Sequence, residues 1–225
     1  TNEEVKRRHS REIAWIVNDN IKQTSRRLVF HKTMMLARRF KDDTIYFPMM
    51  YDFRGRMYTQ PQYLHPQGND LSKSLLLFDE AKPVTNKEGA RWLAIHGANM
   101  WGLDRASFTD RLRWVDDHAN DFKLVRNDPL TNTFWQDASS PLGFLAWCLD
   151  WADYLDEGYT HESRIPCSMD GSNNGLQILA LLTLDQDLAR LTNCTAEDKP
   201  YDFYKEVADR VNAQLQESDS PYARL

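Results

Sequence analysis

The sequence predicts an α+β fold that is mostly helical and carries a small antiparallel sheet. Two observations predict it. Most of the chain repeats apolar residues at three- and four-residue steps behind helix-capping signatures, whereas residues 44–58 and 164–170 are rich in β-favouring or alternating residues. With 225 residues, 41% of them hydrophobic, the chain is long enough to bury a sizeable core.

Residues 3–41 hold Ile13, Ile16, Val17, Leu28, Met35 and Leu36 at mostly helical spacing, without proline or glycine, and predict one long helix or two short ones. Its polar side carries a row of basic residues from Arg7 to Arg39, which reads either as a solvated face or as a surface that follows phosphates. Thr44 to Tyr58, TIYFPMMYDFRGRMY, predicts a strand, a turn at Arg54-Gly55 and a second strand, with Pro48 marking an edge or a break. The loop LHPQGND (64–70) precedes a short strand expected at Ser74–Phe78.

Helices follow. Thr85–Glu88 and Ser107–Asp110 have capping-box spacing ahead of apolar positions such as Leu93, Ile95, Val115 and Phe122. Ser140-Pro141 opens a third helix through Phe144, Cys148, Trp151 and Leu155. These three predict an inserted helical subdomain. RIPCSMD (164–170) alternates as a strand that ends at Asp170-Gly171, and a helix beginning near Ser172 to Asn174 is expected to bury Leu176, Leu179, Ala180, Leu184, Leu188 and Leu191. A last helix, about 200–216, is expected to bury Phe203, Tyr204, Val207, Val211 and Leu215.

Composition narrows the function classes. No stretch approaches the roughly 20 apolar residues of a membrane span, and the N-terminal segment has no apolar signal region, so neither a membrane nor secretion is expected. Cys148, Cys167 and Cys194 form no CxxC pair and are expected to be buried thiols rather than zinc ligands. The net charge of −5 hides an asymmetry: residues 1–60 carry 13 basic and 7 acidic side chains, the remainder 15 and 26. A basic first quarter precedes an acidic remainder.

Two segments could carry chemistry. In SMDGSNNGLQ (168–177) an aspartate at a strand end, followed by two glycines and an apolar helix, suits a magnesium ligand; equally, Asp-Gly is turn chemistry and Ser172 or Asn173 a helix cap. In DFRGRMY (52–58) two arginines flank a glycine, offering planar donors to phosphate beside Phe53 and Tyr58, yet Asp52 could instead bind Arg54 or Arg56 internally. The histidines form no ligand pair, and His96 beside Trp92 and Leu93 reads as a core residue.

Taken together, FPMMYDFRGRMY (47–58), HPQGNDLSKSLLLF (65–78), WLAIHGANMWGLD (92–104), DPLTNTFWQDASSPLGFLAWC (128–148) and MDGSNNGLQ (169–177) resemble the single-subunit DNA-directed RNA polymerases of bacteriophages and mitochondria, in the family's order. PQGND is more similar to the phage branch. The resemblance implies part of a right-hand polymerase palm with a helical insertion: thumb end 1–42, palm 43–80, palm insertion 81–162, second palm segment 163–186, and the start of the fingers 187–225. It implies two-metal synthesis of RNA from NTPs on a DNA template, with Mg²⁺ as cofactor and the cytoplasm of a bacterial host as the place of action. Asp170 matches the family's first catalytic, metal-binding aspartate, and Gly171 its backbone metal contact. Arg56, with Arg54, Gly55 and Asp52, matches the DxxGR element that holds template and hybrid. Tyr58 and Lys73 fall in segments lining the same channel, and Gly175 stands where DNA polymerases of the related class carry a glutamate that blocks a ribose 2′-hydroxyl.

The family's second catalytic aspartate and the nucleotide-binding fingers helix have no counterpart here. The expectation is a fragment or one chain of a split enzyme, silent alone and needing a second polypeptide. The alternative is a non-catalytic nucleic-acid-binding remnant or regulatory subunit.

Overall fold

The computed structural model describes residues 2–168, 171 and 173–217. It is mostly helical with two-stranded pairings, as the sequence predicts. The chain divides into two compact units, Thr1–Lys82 with Arg164–Pro166, and Pro83–Ser163 with Cys167–Leu225.

The first unit begins with one 38-residue helix, α1 (Asn2–Arg39). It is the one long helix of the two alternatives the spacing allows, and nearly all of it is exposed, including Ile13, Val17, Ile21, Leu28 and Met35. Its C-terminal end is the anchored part: Thr33 is buried, its hydroxyl donates to the Tyr63 carbonyl at 3.2 Å, and Lys32 Nζ donates to the Tyr63 hydroxyl at 3.1 Å. Strands β1 (Met49–Tyr51) and β2 (Met57–Thr59) pair antiparallel with Met50 opposite Tyr58. Both are almost wholly exposed.

The strand expected at Ser74–Phe78 is absent. Asn69 accepts the Ser72 N–H at 3.0 Å and starts a short helix, α2 (Asp70–Ser74), so local capping prevails over the apolar run Leu75–Phe78. Phe78 instead exchanges bonds with Arg164: its N–H donates to the Arg164 carbonyl at 2.9 Å, and Arg164 Nε returns to its carbonyl at 2.6 Å.

Two-residue strands β3 (Lys82–Pro83) and β4 (Glu162–Ser163) pair with each other. In the second unit, α3 (Lys87–Trp101), α4 (Phe108–Asp117), α5 (Ala119–Asn127) and α6 (Pro141–Glu157) enclose a core of Val115, Phe122, Val125, Phe144, Trp147 and Cys148, each at most 1% exposed. Burying each large apolar side chain contributes about 1.5–3 kcal/mol. The Trp147 indole donates to the Leu93 carbonyl at 2.8 Å and lies so close to Gly97 that a β-carbon there would collide with its ring.

Several boundaries differ from expectation. Asn86, not Thr85, caps α3 by accepting the Gly89 N–H. The helix opened by Ser107 breaks at His118, whose ring and backbone N–H both engage the Trp114 carbonyl and divide α4 from α5. Residues 164–168 form no strand. The following helix is likewise two: α7 (Asn174–Thr183) ends at left-handed Leu184, and Asp185 caps α8 (Gln186–Leu191) by accepting the Leu188 N–H. Of the stripe expected to be buried there, only Ala180 is; Leu179 and Leu184 are exposed. Along α9 (Phe203–Glu217), Tyr204, Val207 and Val211 are exposed. Cys148 is buried as expected, whereas Cys167 and Cys194 are exposed.

Candidate nucleic-acid interface

The DFRGRMY segment folds as a three-residue hairpin loop built on Asp52. The Gly55 N–H donates to the Asp52 carbonyl at 3.0 Å, the Asp52 N–H donates to the Arg56 carbonyl at 2.9 Å, and Gly55 sits at φ +75°. A turn followed by a left-handed residue is a common closure for such a loop, and glycine adopts it without steric cost.

The carboxylate of Asp52 organises the loop from within. Oδ1 accepts the backbone N–H groups of Arg54 at 2.8 Å and Arg56 at 3.0 Å, while Oδ2 accepts Arg54 Nε at 3.0 Å and the Tyr58 hydroxyl at 3.4 Å. The Arg56 N–H, assisted by the Arg54 side chain and N–H, holds this carboxyl below its ordinary range despite partial burial. The choice left open by the sequence is thus resolved: Arg54 is the internal partner, with its guanidinium 2.9 Å from Asp52 Oδ2. Arg56 gives Asp52 only its backbone. Its guanidinium is exposed and forms no hydrogen bond or ion pair among the described residues. The hairpin therefore presents one committed arginine, one uncommitted arginine, and the bare ring of Phe53, which is 97% exposed beneath the Arg54 guanidinium.

The PQGND loop is fastened to this hairpin by a residue the sequence reading did not single out. Gln67 accepts the Thr59 N–H at 2.8 Å and donates to the Met57 carbonyl at 2.9 Å, taking the strand-edge groups that β2 leaves unpaired. Ser72 closes the loop by accepting the His65 N–H and donating to the His65 carbonyl. Lys73 lies in the last turn of α2, exposed and without a side-chain partner among the described residues. Arg54, Arg56, Tyr58 and Lys73 thus belong to one hydrogen-bonded assembly. In the same unit, Lys22, Arg26, Arg27 and Arg38 on α1 are likewise exposed and unpaired among the described residues.

Asp170 lies outside the described residues, as do Met169 and Ser172. Gly171 and Gly175 belong to the second unit. A β-carbon on Gly171 would collide with the Asn174 side-chain oxygen, whereas one on Gly175 would meet nothing within 4 Å. Asn173, in the left-handed conformation, caps α7 through its carbonyl, which accepts the N–H groups of Leu176 and Gln177. Among the described residues, no three His, Cys, Asp or Glu side chains cluster as a metal site, and no helix is long and apolar enough to cross a membrane.

Comparison with known proteins decides the family. Residues 83–224 match the DNA-dependent RNA polymerase family. The chain belongs to that family. It is 34% identical over 218 residues to the DNA-directed RNA polymerase of Enterobacteria phage T3, covering 96% of this chain and 24% of that protein. T7 RNA polymerase of Escherichia phage T7 is 35% identical over 193 residues, covering 85% of this chain and 22% of the relative. The mitochondrial DNA-directed RNA polymerase of Neurospora crassa is 37% identical over 210 residues, covering 92% and 15%. The matches are of the single-subunit, phage type. The chain spans about a quarter of the length of the phage relatives.

Proposed function

We propose that this chain forms the nucleic-acid-holding and first metal-binding part of a DNA-directed RNA polymerase that makes RNA from NTPs on a DNA template. The uncommitted Arg56 guanidinium beside the Asp52–Arg54 pair carries this reading: a hairpin that spends one arginine on its own rigidity and leaves the next free is built to offer planar donors to a phosphate. Arg54, Tyr58, Phe53 and Lys73 extend that surface with charge and stacking faces, and the free cations of α1 lengthen it. Gly55 permits close approach of a backbone, since nothing lies within 4 Å of where its side chain would stand. We assign residues 1–42 to the thumb end, 43–80 and 163–186 to the palm, 81–162 to a helical palm insertion and 187–225 to the start of the fingers.

Asp170 and the Gly171 carbonyl are assigned to a Mg²⁺ ion. The donor set fits: a carboxylate and a backbone carbonyl are hard oxygen ligands, and the Gly171 position admits no side chain. Bound there, Mg²⁺ supplies charge neutralisation and activation of an RNA 3′-hydroxyl. The chain's own contributions are to hold the ion, clamp the template–product hybrid and, at Gly175, leave room for a ribose 2′-hydroxyl. The remaining palm and fingers are assigned to a second polypeptide or chain segment. On the strength of the phage relatives, we take the place of action to be the cytoplasm of a bacterial host.

Primer extension by a polymerase assembled from this chain with the remaining palm and fingers tests the reading. Asp170→Asn is expected to abolish extension while sparing hybrid binding, and Gly175→Glu to lower NTP relative to dNTP incorporation. Full extension by Asp170→Asn would overturn the metal assignment and favour a non-catalytic binding subunit; an unchanged nucleotide ratio would overturn the role of Gly175.

A further inference from the structure

A second arrangement of ionisable groups lies at the end of α6, within the second unit. The His161 ring is buried, 5% exposed, with a carboxylate against each nitrogen: Asp150 Oδ1 is 3.2 Å from Nε2, and Glu157 Oε2 is 3.0 Å from Nδ1. Ser163 Oγ donates to the other Asp150 oxygen at 2.8 Å, and the His161 carbonyl accepts the Val84 N–H at 2.9 Å. Neutral imidazole has one N–H and one lone pair. Two ionised carboxylates around it would leave one of these contacts as lone pair against lone pair, in a place little water reaches.

We propose that Asp150 and His161 hold one proton between them in the folded chain, forming a proton-closed clasp that fixes β4 to α6 immediately before the segment that leads to Asp170. Whether the proton rests on Nε2 or on Oδ1, the contact is then a hydrogen bond. The half-exposed Glu157 accepts from Nδ1, and the Ser163 hydroxyl remains a donor. Burial raises the Asp150 carboxyl above its usual range, against the lowering influence of Ser163 and His161, and the charge of Asp153 acts in the same raising direction. The other groups facing the clasp are Tyr154, whose ring is 6.4 Å from that of His161, Tyr159 beyond it, and Cys167, which feels the Asp150 charge. The α5 cations Lys123 and Arg126 are engaged by Asp153 and Asp156 and do not close the clasp.

The proton count gives the sign. Between about pH 4 and pH 6.5 the unfolded pair also holds one proton, so the clasp adds no slope to stability. Above about pH 6.5 the unfolded pair holds none and the folded pair one, so stability falls as pH rises until the folded pair releases its proton. The folding equilibrium constant then loses about tenfold per pH unit. Asp150→Asn offers Nε2 an amide N–H in place of the shared proton and removes this slope.

Urea unfolding of the full chain and of Asp150→Asn, each from pH 6 to 9, tests the proposal. The wild-type to Asp150→Asn ratio of folding constants is expected to fall about tenfold per unit across this range until the folded wild type releases its proton, because the unfolded chains titrate alike and the folded variant holds one proton fewer; a ratio independent of pH would overturn it. Nitrogen NMR of the wild-type His161 ring gives a second reading even if the variant fails to fold. Near pH 7.5, Nε2 should still show a bound or strongly shared proton and Nδ1 an N–H; an unprotonated nitrogen of ordinary neutral histidine at Nε2 would contradict the clasp.

Discussion

The helical core around Trp147 and the hairpin around Asp52 are held together by different physics. Phe122, Phe144 and Trp147 are each fully buried and stack or meet edge-on within 5.0–6.1 Å. The hairpin has no buried apolar residue, and both strands are exposed; a single carboxylate with four donors defines its shape. Non-directional burial makes the first region stable, whereas directed polar bonds make the second specific while leaving its outward groups free for a ligand. A surface meant to meet phosphates has to stay solvated until they arrive, and an apolar core cannot supply that.

Substitutions should separate the two regions. Trp147→Ala empties the centre of the helical core and should lower unfolding stability by about 3–5 kcal/mol in denaturant titration, with the Asp52 hairpin's amide pattern unchanged. A loss below about 1 kcal/mol would show that the core does not depend on this ring. Mild acid should likewise act on the helical region alone. Burial depresses buried His96 to about 4, so between about pH 6.5 and 4 the unfolded chain binds a proton that the folded chain refuses. Stability therefore falls as pH is lowered through that window, by roughly 3 kcal/mol in all, and His96→Phe should flatten the profile. Asp52 has the opposite proton balance at a lower pH. Its stabilising ionisation is present above about pH 3.9 and is lost only as pH falls further through its depressed folded value. Acid unfolding followed by NMR should therefore disturb the His96 region before the hairpin. A smaller effect is expected at Gly55, where alanine must adopt φ +75°: a cost of about 1–2 kcal/mol, read as faster exchange of the Asp52 and Gln60 N–H groups.

The same contrast explains what the sequence made legible. The hairpin was readable because its turn depends on local chemistry, with Asp52 and Gly55 three residues apart and β-favouring residues on either side. The helical subdomain was readable from its apolar period, and Ser107 caps α4 as its spacing implies. The sequence misled where two local rules competed. Leu75–Phe78 looks like a strand, yet Asn69 starts a helix just before it. His118 and Asp185 each interrupt an apolar period that runs on across the break. Periodicity also says which face of a helix is apolar but not whether anything covers it, so Leu179, Leu184 and Tyr204 were expected in a core they do not enter. At the candidate interface, residue types alone could not decide between Arg54 and Arg56 as the partner of Asp52, because both are within reach of the carboxylate along the chain. The loop closure settles it by giving Asp52 the Arg56 backbone and the Arg54 side chain.

The most direct test is the salt dependence of RNA–DNA hybrid affinity for the wild-type chain, Arg56→Ala and Arg54→Ala. Wild-type affinity should fall steeply with salt, and Arg56→Ala should both weaken binding and lower the slope of log affinity against log salt by about one, the signature of one lost phosphate contact. Arg54→Ala should change the slope less, because that guanidinium is engaged by Asp52. An Arg56→Ala chain that binds the hybrid with wild-type affinity and slope would contradict the account.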